Sequence, residues 1–180
     1  MKETTITLAH GAGGSKTASL IGELFKKHFD NPFFTPDDAA VLPQPQGAIA
    51  MTTDGFIVSP AFFPGGNIGE LSICGTVNDL ACMGARPLYL TCAFQIEEGL
   101  PVSELEAVVR SMAETAARVG VHIVAGDTKV AGRGQVDRLF ITTAGVGERL
   151  PGVATGGKNA RPGDAVIVTG DVGRHGTAIL

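Results

Sequence analysis

Residues 86–125, RPLYLTCAFQIEEGLPVSELEAVVRSMAETAARVGVHIVA, decide the fold class. The middle of this stretch carries Leu105, Val108, Val109, Met112 and Ala116 at the three- and four-residue spacing that lines one face of a helix. Ser103 and Glu106 stand at capping-box spacing before the stripe, and Gly120 stops it, so the pattern predicts a helix over 104–119. On either side the period changes. Leu88, Leu90 and Ala93 lead to Ile96 in a strand that starts at Arg86-Pro87, and residues 121–125 form a second strand running into Gly126-Asp127-Thr128-Lys129.

Outward toward the N-terminus, residues 4–9 alternate polar and apolar and read as a first strand. A glycine turn, His10-Gly11-Ala12-Gly13-Gly14, precedes a helix that Ser15 is placed to cap, with Leu20, Ile21, Leu24, Phe25 and Phe29 on one face. A break over 31–36 and the sequence Asp37-Asp38-Ala39-Ala40-Val41-Leu42 lead to a strand over 48–53 that runs into Asp54. Residues 59–67 read as a loop and 68–83 as a helix ending before Gly84. Outward toward the C-terminus come a strand over 139–146, a polar connector over 158–164, a strand over 165–169 and the start of a helix at 176–180. Strands and helices interleave without a regular βαβ repeat, which predicts an α/β or α+β fold with a mixed sheet flanked by helices. The connector divides the chain into an N-terminal domain, 1–157, and the beginning of a second domain, 158–180.

Composition narrows the class. At about 150 residues per domain, 180 residues hold one domain or one and a piece of another. Hydrophobic residues at 44% against 18% charged ones can build a core, which excludes disorder, collagen and coiled coil. The apolar runs fall far short of the roughly 20 residues that cross a bilayer, and the first residues lack the apolar core of a signal peptide. The expected setting is cytoplasmic, with no membrane partner. Lys and Arg number 14 against 18 Asp and Glu, without a basic block, so there is no electrostatic footprint for nucleic acid. Cys74, Cys82 and Cys92 form no C-x-x-C pair and read as three reduced core thiols, not a zinc site.

Two features carry chemistry. The turn with Lys16-Thr17 resembles a phosphate loop, but His10 and Ser15 stand where that loop needs glycine. A looser glycine flap whose N–H groups approach phosphate fits better, and a plain tight turn remains an alternative. The second feature is a set of carboxylates near element ends: Asp37-Asp38, Asp54, and Asp127 beside Thr128 and Lys129. Each alone is explained by a turn, since an Asp after a strand accepts local N–H bonds. Asn78-Asp79 is harder to explain that way, because a carboxylate in so apolar a helix costs free energy unless it is paired or metal-bound. Together the acids are expected to converge on a hard cation such as Mg2+ that bridges carboxylates to nucleotide phosphates. Lys129 would add a point charge for phosphate or act as a base. The four histidines, His10, His28, His122 and His175, show no ligand spacing.

Seven blocks in order carry a family resemblance: Leu8-Ala9-His10-Gly11-Ala12-Gly13-Gly14, Thr52-Thr53-Asp54, Phe62-Phe63-Pro64-Gly65-Gly66-Asn67-Ile68-Gly69, Cys74-Gly75-Thr76-Val77-Asn78-Asp79-Leu80-Ala81, Glu97-Glu98-Gly99-Leu100-Pro101, Ser111-Met112-Ala113-Glu114-Thr115 and Gly126-Asp127-Thr128-Lys129-Val130. The chain resembles the HypE family of hydrogenase maturation proteins, within the superfamily of aminoimidazole ribonucleotide synthetase, selenophosphate synthetase and thiamine-monophosphate kinase. The resemblance implies two α/β domains per subunit and a homodimer whose N-terminal sheets pair in a barrel-like core. It also implies ATP with Mg2+ as cofactors in a groove under the glycine-rich segment. By the same resemblance Gly11, Gly13, Gly14, Asp38, Asn78 and Thr128 bind nucleotide, and Asp54, Asp79 and Asp127 hold the metal. Lys129 assists catalysis; Asp37 is the weaker match.

The implied activity is that of a carbamoyl dehydratase. ATP phosphorylates the oxygen of a thiocarboxamide on the C-terminal cysteine; loss of phosphate leaves a thiocyanate that donates cyanide to the iron of [NiFe] hydrogenase. Implied partners are the carbamoyl transferase HypF and the HypC–HypD complex. The chain ends Thr177-Ala178-Ile179-Leu180, without the family's terminal cysteine, so it is expected to be an N-terminal part, incomplete for turnover. Two other readings stay open: a related ATP-dependent kinase or synthetase of a small metabolite, and a non-catalytic dimerisation or scaffold module.

Overall fold

The computed structural model describes residues 3–35 and 37–179. The deciding stretch folds as β4 (Ala85–Glu97), α4 (Val102–Val119) and β5 (His122–Ala131). β4 and β5 are parallel neighbours, so they need a crossover, and α4 supplies it. The expected stripe is the buried face of α4, with Leu105, Val109 and Met112 fully inaccessible. Gly120 ends the helix at φ 72°, in the left-handed region where a side chain is costly.

The capping box does not form. The helix starts two residues earlier, at Val102 after Pro101, and no side chain caps it. The N–H of Val102 is instead satisfied by the Thr4 carbonyl at 2.9 Å. Glu106, the expected box partner, turns outward to Lys27 at 2.7 Å and His28 at 3.4 Å.

β6 (Leu139–Arg149) lies between β4 and β1 (Ile49–Phe56), antiparallel to both, giving the order β1-β6-β4-β5. The sheet is therefore mixed, as expected. α3 (Ile68–Cys82) begins at Asn67, whose side chain accepts from the N–H groups of Gly69 and Glu70. A methyl group at Gly69 would lie 2.4 Å from the Val108 carbonyl oxygen, so α3 and α4 can approach this closely only with glycine there. The buried Thr76 hydroxyl of α3 meets that of Thr143 on β6 at 2.5 Å, which satisfies both and fixes the helix on the sheet.

Residues opposite one another in the ladders share a face. Phe56, Ile141, Phe94 and Thr128 form one such row, and Asp54, Thr143, Cys92 and Gly126 form the next but one. Both face the helices, and the core lies there. The alternate row, Gly55, Thr142, Ala93 and Asp127, faces away. On that side Ile49 and Met51 stand exposed.

Several expected elements differ. Residues 4–6 do not enter the sheet: they exchange backbone bonds with 99–102, Thr5 bridging Pro101, and Leu8–Gly11 winds into a 3-10 turn. The first helix has three segments, α1 (Ser15–Leu20), a π-helical turn over Ile21–Phe25 and α2 (Lys26–Phe29). Gly14, not Ser15, is its N-cap, without a side-chain bond. The loop over 59–67 contains a small hairpin, β2 (Phe62–Phe63) and β3 (Gly66–Asn67). β5 continues to Ala131 because residues 126–131 stay on the β4 ladder. Residues 165–169 form no strand, and Val166, Ile167 and Val168 are exposed; α5 (Arg174–Ile179) follows. Among the described residues no helix is long and apolar enough to cross a membrane.

The contrast within α4 is testable by denaturant unfolding. Met112→Ala, which empties a buried site, is expected to cost about 2–5 kcal/mol. Ser103→Ala, whose box is unformed, is expected to stay within about 0.5 kcal/mol of the wild type.

Candidate functional site

The expected site residues fall into three places on the fold. The first is the glycine turn. Gly11 packs on β5, where a methyl group would lie 2.7 Å from the Val130 nitrogen. The Thr17 hydroxyl accepts the Gly13 N–H at 3.0 Å and donates to the His10 carbonyl at 2.9 Å, so the turn is closed on its own helix. His10 is buried, and its Nδ1 accepts the Thr7 N–H at 3.0 Å. That bond leaves the ring proton on Nε2, which faces the Glu3 carboxylate at 2.9 Å. Lys16 pairs with the other Glu3 oxygen at 2.7 Å. The wrapped phosphate loop is thus absent, and the turn is shaped by Thr17, marked only through the phosphate-loop pattern, and by Glu3 and Thr7, which no sequence pattern marked.

The second place is a cleft of about 250 Å³ between the first helix and the outer strand β5. Phe25, Phe29, Phe34 and Phe94 give it apolar walls, with Cys92 at its floor. Asp37, Asp38, Asp127 and Thr128 border it, as does Thr17 from the turn. The structure therefore brings Asp38, Asp127 and Thr128 to one concavity beside the glycine segment. Asp127 belongs to the exposed face of the sheet, where Lys129 holds both its oxygens, at 2.7 and 2.8 Å. That ammonium, with a smaller contribution from the Thr128 N–H, keeps the Asp127 carboxyl below its ordinary range.

The third place lies across the sheet, where α3 rests on β1. The Thr52 hydroxyl donates to Asp79 at 2.9 Å. A methyl group at Gly75 would strike the Phe56 ring at 2.7 Å and lie 3.5 Å from an Asp54 oxygen, so glycine lets the helix settle against the Asp54 side of β1. Asn78 and Asp79 are both exposed. Water therefore removes the burial cost that the apolar helix predicted for Asp79, and Thr52 gives it a partner.

The expected convergence of Asp38, Asp54, Asp79 and Asp127 does not occur within one chain. Among the described residues no three Asp, Glu, His or Cys side chains gather as a metal site. The topology explains it: β1 and β5 are the two outer strands, three strand spacings or about 14 Å apart. Asp54 and Asp127 also point to opposite faces. Among the described residues the oxygen donors, of the kind a hard cation prefers, thus stand in two separate groups. The thiols differ from expectation too: Cys92 alone is buried, its thiol pushed up to about 12 by burial. Cys74 is half-buried and Cys82 exposed.

Comparison with known proteins places this geometry. Residues 36–149 match the family described as AIR synthase related protein, N-terminal domain. The whole chain is 50% identical to the carbamoyl dehydratase HypE of Cupriavidus necator, of which it covers 52%. It is 49% identical, over 97% of its length, to the HypE of Escherichia coli, of which it covers 54%. The crystal structure of a hydrogenase maturation protein HypE in complex with ATP matches with a TM-score of 0.86 at 52% identity, over 88% of this chain and 48% of that one. A HypE–HypF complex matches with a TM-score of 0.73 at 53% identity, over 89% of this chain and 52% of that one. A thiamine-monophosphate kinase from Stenotrophomonas maltophilia, 22% identical at a TM-score of 0.52 over 72% of this chain and 41% of that one, shares the fold. The chain spans about half the length of the curated relatives it matches.

The Asp127–Lys129 pair gives a pH test. A depressed carboxyl stabilises the fold above its unfolded value and loses that contribution as pH falls through the folded one. In a carbon-13 titration Asp127 is expected to have its midpoint below 3.8, and Lys129→Ala to raise it. An unchanged midpoint in the variant would assign the shift to the backbone alone.

Proposed function

From the premise that the chain belongs to the AIR synthase related protein family, by its N-terminal domain, we propose that it is the ATP-binding and dimer-forming part of a HypE-type carbamoyl dehydratase. The reaction is the ATP-dependent dehydration of a thiocarboxamide on a C-terminal cysteine to a thiocyanate, the cyanide donor for the iron of [NiFe] hydrogenase. The chemistry needs ATP because an amide oxygen is a poor leaving group until it carries phosphate. HypF, which delivers the carbamoyl group, and HypC–HypD, which takes the cyanide, are the partners in this reading. Residues 1–157 form the nucleotide and dimer domain, and 158–180 begin the second.

The observation that carries the site is the division of its ligands between the two edges of one sheet. Asp54 and Asp79 lie at the β1 edge, Asp127, Thr128 and Lys129 at the β5 edge, and the face between them is open. Two copies that pair their open faces into a barrel set β1 of one along β5 of the other, about 4.8 Å away. Each seam then sets Asp54 and Asp79 on the side of the partner's Thr128 and cleft, which Asp127 borders at the outer edge of β5, and the homodimer carries two such sites. Mg2+, when bound there, offsets the charge on the phosphoryl oxygens. Asp38, Asn78 and Thr128 orient the nucleotide, and the turn of Gly11, Gly13 and Gly14 approaches its phosphates, the Gly13 N–H staying on the Thr17 hydroxyl. Lys129 holds phosphate as a fixed positive charge, a role its pairing with Asp127 favours over that of a base.

Calorimetry with Mg–ATP tests the reading. The wild type is expected to bind only with Mg2+ present, and Asp54→Asn and Asp127→Asn each to abolish binding. Mixing the two variants gives heterodimers with one intact seam, restoring about a quarter of the wild-type sites. Equal, negligible heats for the wild type and both variants would favour the scaffold reading. Binding by the wild type with no recovery on mixing would contradict the shared seam.

A further inference from the structure

We propose that Glu3 is a built-in anion surrogate: its carboxylate fills an oxyanion site formed by the Lys16 ammonium and the His10 ring N–H beside the glycine turn, and a nucleotide's polyphosphate displaces it. The inference rests on Mg–ATP as the ligand of this domain and adds a competitor to that site. Its basis is the contact set at the turn. His10 is 1% exposed, and Thr7 grips its Nδ1 with both the backbone N–H and the hydroxyl at 3.0 Å. The ring therefore cannot swing away, and its Nε2–H is aimed outward at one oxygen atom, 2.9 Å from Glu3. A buried donor held from behind is preorganised for an anion in the way a phosphate-binding N–H is.

Lys16 supplies the charge, 2.7 Å from the second Glu3 oxygen and itself 44% exposed. Lys16 and then His10 hold the Glu3 carboxyl below its ordinary range. Space for a larger anion adjoins the site, since a methyl group at Gly13 or Gly14 would meet nothing within 4 Å. Glu3 itself is 41% exposed, and an exposed ion pair is weak and screened. A polyphosphate, with several charges against one, takes Lys16 and the His10 N–H from it. The P-loop-like placing of Lys16 after the glycines thus has a use even though the loop does not wrap.

Calorimetry with Mg–ATP and with inorganic tripolyphosphate on the wild type, Glu3→Gln, Lys16→Gln and Glu98→Gln tests this. Glu98 is the charge control, since it lies at the same turn, 3.4 Å from the Leu8 nitrogen, and touches neither Lys16 nor His10. Glu3→Gln is expected to tighten both ligands about two- to fivefold, the worth of one exposed pair. Lys16→Gln is expected to weaken both, and Glu98→Gln to change them less than Glu3→Gln does. In the wild type the Glu3 carboxyl, followed by carbon-13 NMR, is expected to titrate at higher pH once ligand is bound; this readout does not depend on any variant folding. Equal tightening by Glu98→Gln, no tightening by Glu3→Gln, or an unmoved Glu3 titration would overturn the surrogate. If those occur while the wild type binds Mg–ATP, the functional reading stands without it. No binding of either ligand by any form would overturn both.

Discussion

One constraint organises the molecule: every strand of the sheet buries side chains on the same side, because α3, α4 and the first helix all lie on that face. The rows Phe56–Ile141–Phe94–Thr128 and Asp54–Thr143–Cys92–Gly126 point into the helices, and the residues between them have nowhere to go but out. Burial of the inward rows supplies most of the stabilisation, since apolar area removed from water is the dominant favourable contribution to folding. The same constraint decides the site. With residues alternating faces along each strand, a carboxylate at 54 and one at 127 cannot share a side.

That is also where the sequence was legible and where it was not. Helix α4 could be read because its stripe, its stop at Gly120 and its burial all follow from the 3.6-residue period. The mixed sheet could be read from the irregular order of elements. The failed capping box had a non-local cause: residue 4 satisfies the helix start and Lys27 draws Glu106 away. Residues 4–6 alternate like a strand, but alternation does not say which backbone they pair with, and their partner is the 99–102 turn.

For the site, the sequence marked individual residues and could not give their spatial grouping. Asp38, Asp127 and Thr128 border one cleft, while Asp54 and Asp79 lie at the far edge with Thr52. Grouping depends on strand order, and β6, last in the sequence, inserts between β1 and β4. The cost foreseen for Asp79 vanished because local hydropathy does not report which side of a helix faces water. Glu3 carried no signal, since a single carboxylate near a glycine turn is common, and Thr17 was marked only through its phosphate-loop-like place after Lys16. The resemblance to HypE proteins, by contrast, holds along the whole chain.

The central claim is that each nucleotide site is assembled from two copies of the chain. Its most direct test is to measure Mg–ATP binding across a dilution series while sedimentation reports the oligomer. The account predicts that binding falls in step with the dimer and disappears in the monomer. Undiminished binding by the monomer, at the same affinity as the dimer, would contradict it.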